Sequence, residues 1–225
     1  MITLHHLNNS RSQRILWLME ELEIDYSLHV YQRDKRTQLA PKSLMEIHPL
    51  GKAPVLTDNE TVIAESGAII EYLVDQYGQH FRPEHGTSEY KQYSYWMHFA
   101  EGSLMTPMLF SVVLNKVKSS PMPFFAKPIA RTIVAKVMSA FVSPNLKRMM
   151  HFVDEHLADH QWFAGEQISG ADFQMSFPLE AAMASGVIDR RYPNIEGYLR
   201  RIASRPAYQS ALNKGGNYAY AAKSN

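Results

Sequence analysis

The chain has 225 residues, 45% of them hydrophobic and 20% charged, and its 23 Lys+Arg against 22 Asp+Glu leave a formal net charge of +1. So even a balance predicts no pull toward a phosphate backbone, and no basic cluster interleaved with aromatics points to nucleic acid. With no cysteine, disulfides, cysteine-based metal sites and a protein thiol nucleophile are excluded, and any thiol chemistry must arrive with a substrate. Met1 to Leu7 lacks the charged flank and apolar run of a signal peptide. No window nears about 18 uninterrupted apolar residues, so no membrane span and no membrane partner are expected, and the cytoplasm is the expected compartment.

In chain order, Ile2 to Leu7 reads as a strand and Asn8 to Ser12 as a polar turn. Ile15, Leu18, Met19 and Leu22 then recur at helical spacing. Ser27 to Tyr31 suits a second strand, and Pro41 to Ile47 a short helix opened by proline. Ala53 to Leu56 and Thr61 to Ala64 are short strands separated by the polar turn Asp58-Asn59-Glu60. Ser66 to Tyr77 is an amphipathic helix stopped at Gly78. The order βαβ, helix, ββα predicts an α/β thioredoxin-like domain over 1–79, followed by a polar linker over 80–86. From 87 to 225 the pattern is all-helical: Ser88 to Val117, Ala126 to Val142, Pro144 to Ala158, Ser169 to Ala184 and Pro193 to Ala203. Ser143-Pro144 pairs a capping residue with a proline, so it starts a new helix or kinks a long one. Ile168 to Phe173 places Ser169 three residues before Asp172 with apolar residues on either side, the pattern of a capping box with a hydrophobic staple.

Three short motifs can carry chemistry. In His48-Pro49-Leu50-Gly51-Lys52-Ala53-Pro54, a proline at a strand start marks an edge or a cis bond. Such a turn either exposes the Ala53 backbone as a clamp for an extended peptide or is simply tight. Glu65-Ser66 lies where a strand passes into a helix. It is either an ordinary cap or a receptor for a zwitterion, with an acid for an ammonium and free helix N–H groups for a carboxylate. In Asn8 to Arg14, Ser10 and Gln13 form a capping-box pattern. A capping hydroxyl still has its own proton to donate, for instance to a substrate thiolate; Asn9 and Ser12 are rival donors on the same turn.

These motifs, with Ile168–Phe173 and Arg205-Pro206-Ala207-Tyr208, resemble in order and spacing the cytosolic glutathione transferase family over nearly the whole chain. The Asn-Asn-Ser-Arg-Ser-Gln-Arg turn is similar to a serine-type bacterial and fungal subgroup, whose long helical insertion would be Ser119 to Met138. The resemblance implies a homodimeric, cytoplasmic enzyme of detoxification that needs no cofactor beyond glutathione as co-substrate. It joins the glutathione thiolate to a small hydrophobic electrophile. It implies Ser10 as the catalytic donor to sulfur, with Asn9 or Ser12 as alternates, and Pro54 as a cis proline. Ala53 would clamp the cysteinyl unit, Lys52 would approach the glycyl carboxylate, and Glu65 and Ser66 would hold the γ-glutamyl end. Glutathione-dependent disulfide or peroxide reduction, or a non-catalytic binding module, are the alternatives.

The aromatic and methionine cluster Trp96, Phe99, Met105, Met108 and Phe110 is either core or, by the resemblance, the lining of the electrophile pocket. His156 and His160 stand at i, i+4 but lack a supporting acid, so no metal site is expected. Lys116, Lys118, Lys127, Arg131 and Lys136 are expected to form a solvated face.

Overall fold

Alternation along the first strand sets the layers of the N-terminal half. In a computed structural model, which describes residues 1–221, β1 (Ile2–Leu7) runs parallel to β2 (Ser27–Tyr31) and antiparallel to β3 (Val55–Asp58). β3 turns into β4 (Thr61–Ala64), giving the sheet order β2-β1-β3-β4. Ile2, Leu4 and His6 point to one face and His5 and Leu7 to the other, because side chains alternate across a strand. The first face meets α1 (Ser12–Glu21) and α3 (Ser66–Tyr77). On the second face Leu7 and Tyr31 pack with Leu44 of the short α2 (Leu44–Ile47). The expected thioredoxin-like order is present.

The helical half comprises α4 (Ser88–His98), α5 (Met105–Ser119), α6 (Ala126–Val137), α7 (Ser143–Asp159), α8 (Gly170–Ala184), α9 (Pro193–Ala203) and α10 (Pro206–Gly215). The last of these was not anticipated. π-helical turns at Phe99–Leu104 and Met138–Val142 join α4 to α5 and α6 to α7, so that two long helices form a hairpin. Each π turn lies just before a proline, Pro107 or Pro144. A proline ring collides with the carbonyl four residues back and supplies no N–H, and a π turn absorbs both defects. Ser143 therefore caps nothing: Val142 and Ser143 are both helical, and the chain runs through Pro144 instead of restarting there. By length and composition alone, the fused helix Ser88–Ser119 is long and apolar enough to cross a membrane, and one third of its most apolar stretch is buried.

One hydrophobic cluster runs unbroken from the sheet into the helices. Trp17 of α1 is fully buried, edge-on to Phe173 at 4.5 Å and to Tyr208 at 5.7 Å. Phe81, in a 3-10 turn at the expected linker, packs on the same Phe173 at 5.3 Å. A buried side chain of this size contributes roughly 1.5–3 kcal/mol, so this shared aromatic seam fixes how the two halves meet. α8 is fixed at its start by the expected box: the Asp172 carboxylate accepts from the Ser169 N–H at 2.8 Å and the Phe163 N–H at 3.0 Å. Residues 222–225 of the expected 87–225 helical region lie outside the described residues.

Candidate active site

The turn after β1 brings its three polar candidates to different depths. Ser10 is buried at the wall of a cavity of about 640 Å³, which Asn9 and Arg11 also line. Its oxygen accepts the Ser12 N–H at 3.2 Å and lies 2.8 Å from the Ser12 hydroxyl. Ser12, fully buried behind it, also accepts the Leu7 N–H at 3.2 Å and lies 3.0 Å from His6 Nδ1. Burial pushes His6 down to about 4, against an opposing hydrogen bond to the Gly215 backbone, so near neutral pH its ring is uncharged. Ser12 is thus held by structure, and Ser10 is the hydroxyl at the cavity. Asn9 has φ 51°, and its side-chain oxygen accepts the Ala219 N–H at 2.7 Å, which ties the turn to the C-terminal segment. The anticipated reciprocal box does not form: Ser10 caps Ser12 two residues on, while the buried Gln13 amide finds no partner among the described residues.

A second cavity of about 180 Å³ is lined by Lys52, Ala53, Pro54, Glu65 and Ser66, together with Glu101. The Ala53–Pro54 peptide is cis. Glu65 ends β4 with φ 71°, in the left-handed region that non-glycine residues avoid, a conformation that concentrates at functional sites. No side chain caps α3, so its first N–H groups are left to a ligand. Ser66 is buried and accepts from Arg14 Nη2 at 2.5 Å, which leaves its own proton to donate. The two cavities share Arg11, Leu50, Lys52 and Ala53, so they adjoin.

Glu101 escaped the sequence reading. The π turn Phe99–Leu104 carries it to the cavity, where its carboxylate takes Arg11 Nε at 3.1 Å on both oxygens and the fully buried Arg14. Burial alone would raise the Glu101 carboxyl, but the Arg14 and Arg11 guanidiniums outweigh it and hold it below the ordinary value. A signal did exist: Glu101 is the only acid between Glu89 and Asp154. Phe177 and Tyr220 also line the larger cavity, with the Arg11 guanidinium 5.5 Å over the Phe177 ring.

The aromatic cluster divides. Met105 lines the larger cavity. Trp96, Phe99 and Met108 are in the core, with Trp96 wedged between Phe99 at 5.1 Å and Phe163 at 4.8 Å. Phe110 is half exposed. His156 Nε2 meets the Phe163 carbonyl at 3.1 Å, and the His156 ring stacks on His160 at 4.3 Å.

Comparison with known proteins follows the same division of the chain. Residues 1–75 match the model of the glutathione S-transferase N-terminal domain, and residues 134–206 that of the C-terminal domain. Glutathione S-transferase 3 of Schizosaccharomyces pombe is 40% identical over 95% of this chain and 88% of its own. The chain belongs to the glutathione S-transferase family.

Glutathione S-transferase 1 of Saccharomyces cerevisiae is 34% identical, covering 95% of each chain. A solved glutathione S-transferase from Actinobacillus pleuropneumoniae superposes with a TM-score of 0.77 at 36% identity, over 97% of this chain and 94% of that one. The protein is a glutathione transferase. Neither family model reaches the segment 76–133, which contains α4, α5 and the start of α6.

Proposed function

We propose that this transferase binds glutathione extended along Lys52-Ala53-Pro54 and offers its thiolate, held by Ser10, to an apolar electrophile lodged against Met105, Phe177 and Tyr220. The observation that carries this reading is that the two cavities adjoin, sharing Arg11, Leu50, Lys52 and Ala53 as lining. One tripeptide then reaches from the start of α3 to Ser10. At the α3 end, Ser66 and the uncapped N–H groups, backed by Arg14, take the γ-glutamyl carboxylate. Glu65 takes the ammonium, and Glu101 adds negative charge on the same side. Lys52 is exposed and suits the glycyl carboxylate.

The thiolate attacks the electrophilic carbon, a carbon–sulfur bond forms, and the leaving group departs with its electron pair; the thiol proton has already passed to solvent. A free thiol has a pKa near 8.5. Lowering it by about two units requires about 2.7 kcal/mol of selective thiolate stabilisation. A hydroxyl hydrogen bond to a charged acceptor supplies roughly 1.5–3 kcal/mol, and the start of α1 roughly 0.3–1 kcal/mol. The requirement is met without a metal or a protein base.

Residues 1–79 act as the glutathione domain and 87–225 as the electrophile domain, joined through 80–86. The enzyme works as a homodimer, the commonest closed symmetry, with half-exposed Val62, Tyr77 and Tyr95 as apolar surface for pairing. The cytosol, where glutathione is kept as the thiol, suits such a reaction. Reduction of disulfides in the same cleft is not favoured, since the relatives above 30% identity carry transferase names. Turnover measured side by side on an aryl halide and on hydroxyethyl disulfide tests this: conjugation should dominate, and a preference for the disulfide would reverse the assignment.

A further inference from the structure

The two cavities differ in the sign of their walls. Glu65 and Glu101 line the smaller one, where the proposed γ-glutamyl ammonium would lie. The larger one is lined by Arg11, Arg33, Lys42 and Lys52, and among the described residues no Asp or Glu joins them. Arg11 is taken by Glu101. Arg33, Lys42 and Lys52 make no ion pair among the described residues. Glutathione bound as proposed brings two negative charges to this side, its glycyl carboxylate and its thiolate. Set against three unpaired cations, they leave one positive charge over. An apolar wall strengthens the field of such a charge, and Met105 and Phe177 supply that wall.

Arg33 is the fixed member of the three. Lys42 and Lys52 are exposed, whereas Arg33 is partly buried. Its Nε donates to the Asn8 carbonyl at 3.2 Å, its Nη2 to the Asn9 carbonyl at 3.3 Å and its Nη1 to the Gln38 carbonyl at 3.0 Å. All three acceptors are neutral, so its charge stays uncompensated. Three of the five guanidinium N–H groups are placed in this way, which leaves two, one on each Nη. The adjacent Asp34 is no partner, because its carboxylate accepts the Arg36 N–H at 3.0 Å and the Thr37 N–H at 2.7 Å. Asn8 and Asn9 directly precede Ser10, so the guanidinium is fastened to the same turn as the hydroxyl proposed to hold sulfur. One N–H on each Nη is the donor pair that a carboxylate accepts with both oxygens.

We propose that the electrophile conjugated by this transferase carries a carboxylate on an apolar body, with Arg33 as the receptor for that carboxylate and Met105 and Phe177 against the body. The inference rests on the function proposed above and narrows its substrate to an anionic class. A neutral electrophile would leave the Arg33 guanidinium without an anion. The glycyl carboxylate is the rival ligand for Arg33. Lys52 suits it better, since Lys52 lines both cavities and so stands along the peptide, while Arg33 lines only the larger one. Lys42, exposed at the same cavity, adds steering charge without a fixed geometry.

The test uses a matched pair of aryl chlorides: a benzoate with chlorine para to the carboxylate and a nitro group beside the chlorine, and the neutral amide of the same acid. In both, glutathione sulfur bonds to the ring carbon, the carbon–chlorine bond breaks and chloride leaves with the electron pair. Each kcat/KM is divided by the uncatalysed rate constant with glutathione, which removes the difference in ring reactivity. The wild-type enzyme should favour the benzoate about tenfold or more, the size of one charge-assisted hydrogen bond. Raising salt from about 0.05 to about 0.5 M should erode that preference. Arg33→Gln should bring the ratio close to one, Arg33→Lys should keep part of it, and Lys42→Gln should change it less. Because the ratio compares two substrates on one protein, it stays readable even where a variant disturbs the Asn8–Asn9 turn and lowers both rates. The inference is overturned if the wild-type ratio is near one. It is equally overturned if Arg33→Gln keeps the preference and raises KM for glutathione instead, which would give Arg33 to the glycyl carboxylate. Turnover of the amide without preference for the benzoate sinks this inference alone, whereas no turnover of either chloride sinks the transferase reading and this inference with it.

Discussion

Arg14 and Glu101, 87 positions apart, close on each other beside the smaller cavity, and the pair joins α1 to the π turn after α4. Arg14 is fully buried while the Glu101 carboxylate is one third exposed, so one member serves the interior and the other faces the cavity. The same guanidinium donates to Ser66 at the start of α3 and to the Gln174 carbonyl of α8. A single cation thus ties together groups from three elements beside the smaller cavity.

Removing one partner of a buried ion pair costs about 3–5 kcal/mol, because the other charge stays buried without its partner. Glu101→Gln should lower stability toward the smaller figure, since Arg14 keeps two neutral acceptors, and should weaken glutathione binding as well. In Arg14→Met with Glu101→Leu the stability should largely return while affinity stays low. Chemical denaturation and calorimetry on the same samples separate the two effects. A double variant with normal glutathione affinity would remove this pair from the site.

Ser10→Ala should raise the titration of bound glutathione thiol by about one to two units, the size of one charged hydrogen bond. Ser10→Thr should retain much of the effect. Ser12→Ala should act mainly on stability, because its hydroxyl is bound to Leu7, His6 and Ser10 behind the cavity wall. Asn9→Ala should loosen the C-terminal segment held at Ala219 more than it moves the thiol. Thiolate absorbance against pH reads all four variants, and a larger displacement in Asn9→Ala than in Ser10→Ala transfers the role.

Glu65 combines a strained backbone with a charge at the smaller cavity. Glu65→Gln should weaken glutathione binding about tenfold, or about 1.4 kcal/mol. Glu65→Gly should weaken it at least as much while relieving roughly 1 kcal/mol of strain at φ 71°. Melting temperature and affinity should therefore move in opposite directions in the glycine variant. A loss of both would mean that the residue acts through the fold.

Burial pushes the Glu180 carboxyl up to about 7, although the Tyr208 and Tyr218 hydroxyls donate to it. An acid with a raised folded pKa stabilises the fold fully below its unfolded value and loses that contribution as pH rises through the folded one. The window here runs from about 4.5 to about 7. His6 has the opposite sign, since its contribution is lost as pH falls from 6.5 toward about 4. The difference between Glu180→Gln and the wild type isolates the first group. It should move by up to about 3 kcal/mol in favour of the variant between pH 5 and pH 8. Thermal melts across that range check it, and a flat difference would return Glu180 to an ordinary pKa.

Most of the fold was legible because the signals are local. A short strand-like run marked Ile2–Leu7, helical spacing marked Ser66–Tyr77, and Ser169 with Asp172 marked the start of α8. The turn residues Ser10, Ala53, Pro54, Glu65 and Ser66 were found for the same reason: each stands at a boundary between elements where sequence punctuation is strong. What the sequence by itself determined was the order of elements, the absence of a protein thiol and the candidates at each turn. Tertiary structure alone decided which candidates meet. It sent Trp96, Phe99 and Met108 inward and left Met105 at the cleft, because one helical face of mixed aromatics and methionines divides between core and cavity only when neighbouring helices are packed. It brought Glu101 to Arg14, since a carboxylate finds its partner through space and the π turn that aims it depends on Pro107 several residues later. It also left Phe125, Ile129 and Ile133 open to solvent, because an apolar stripe reads alike in a core helix and an exposed one until the packing around it is known.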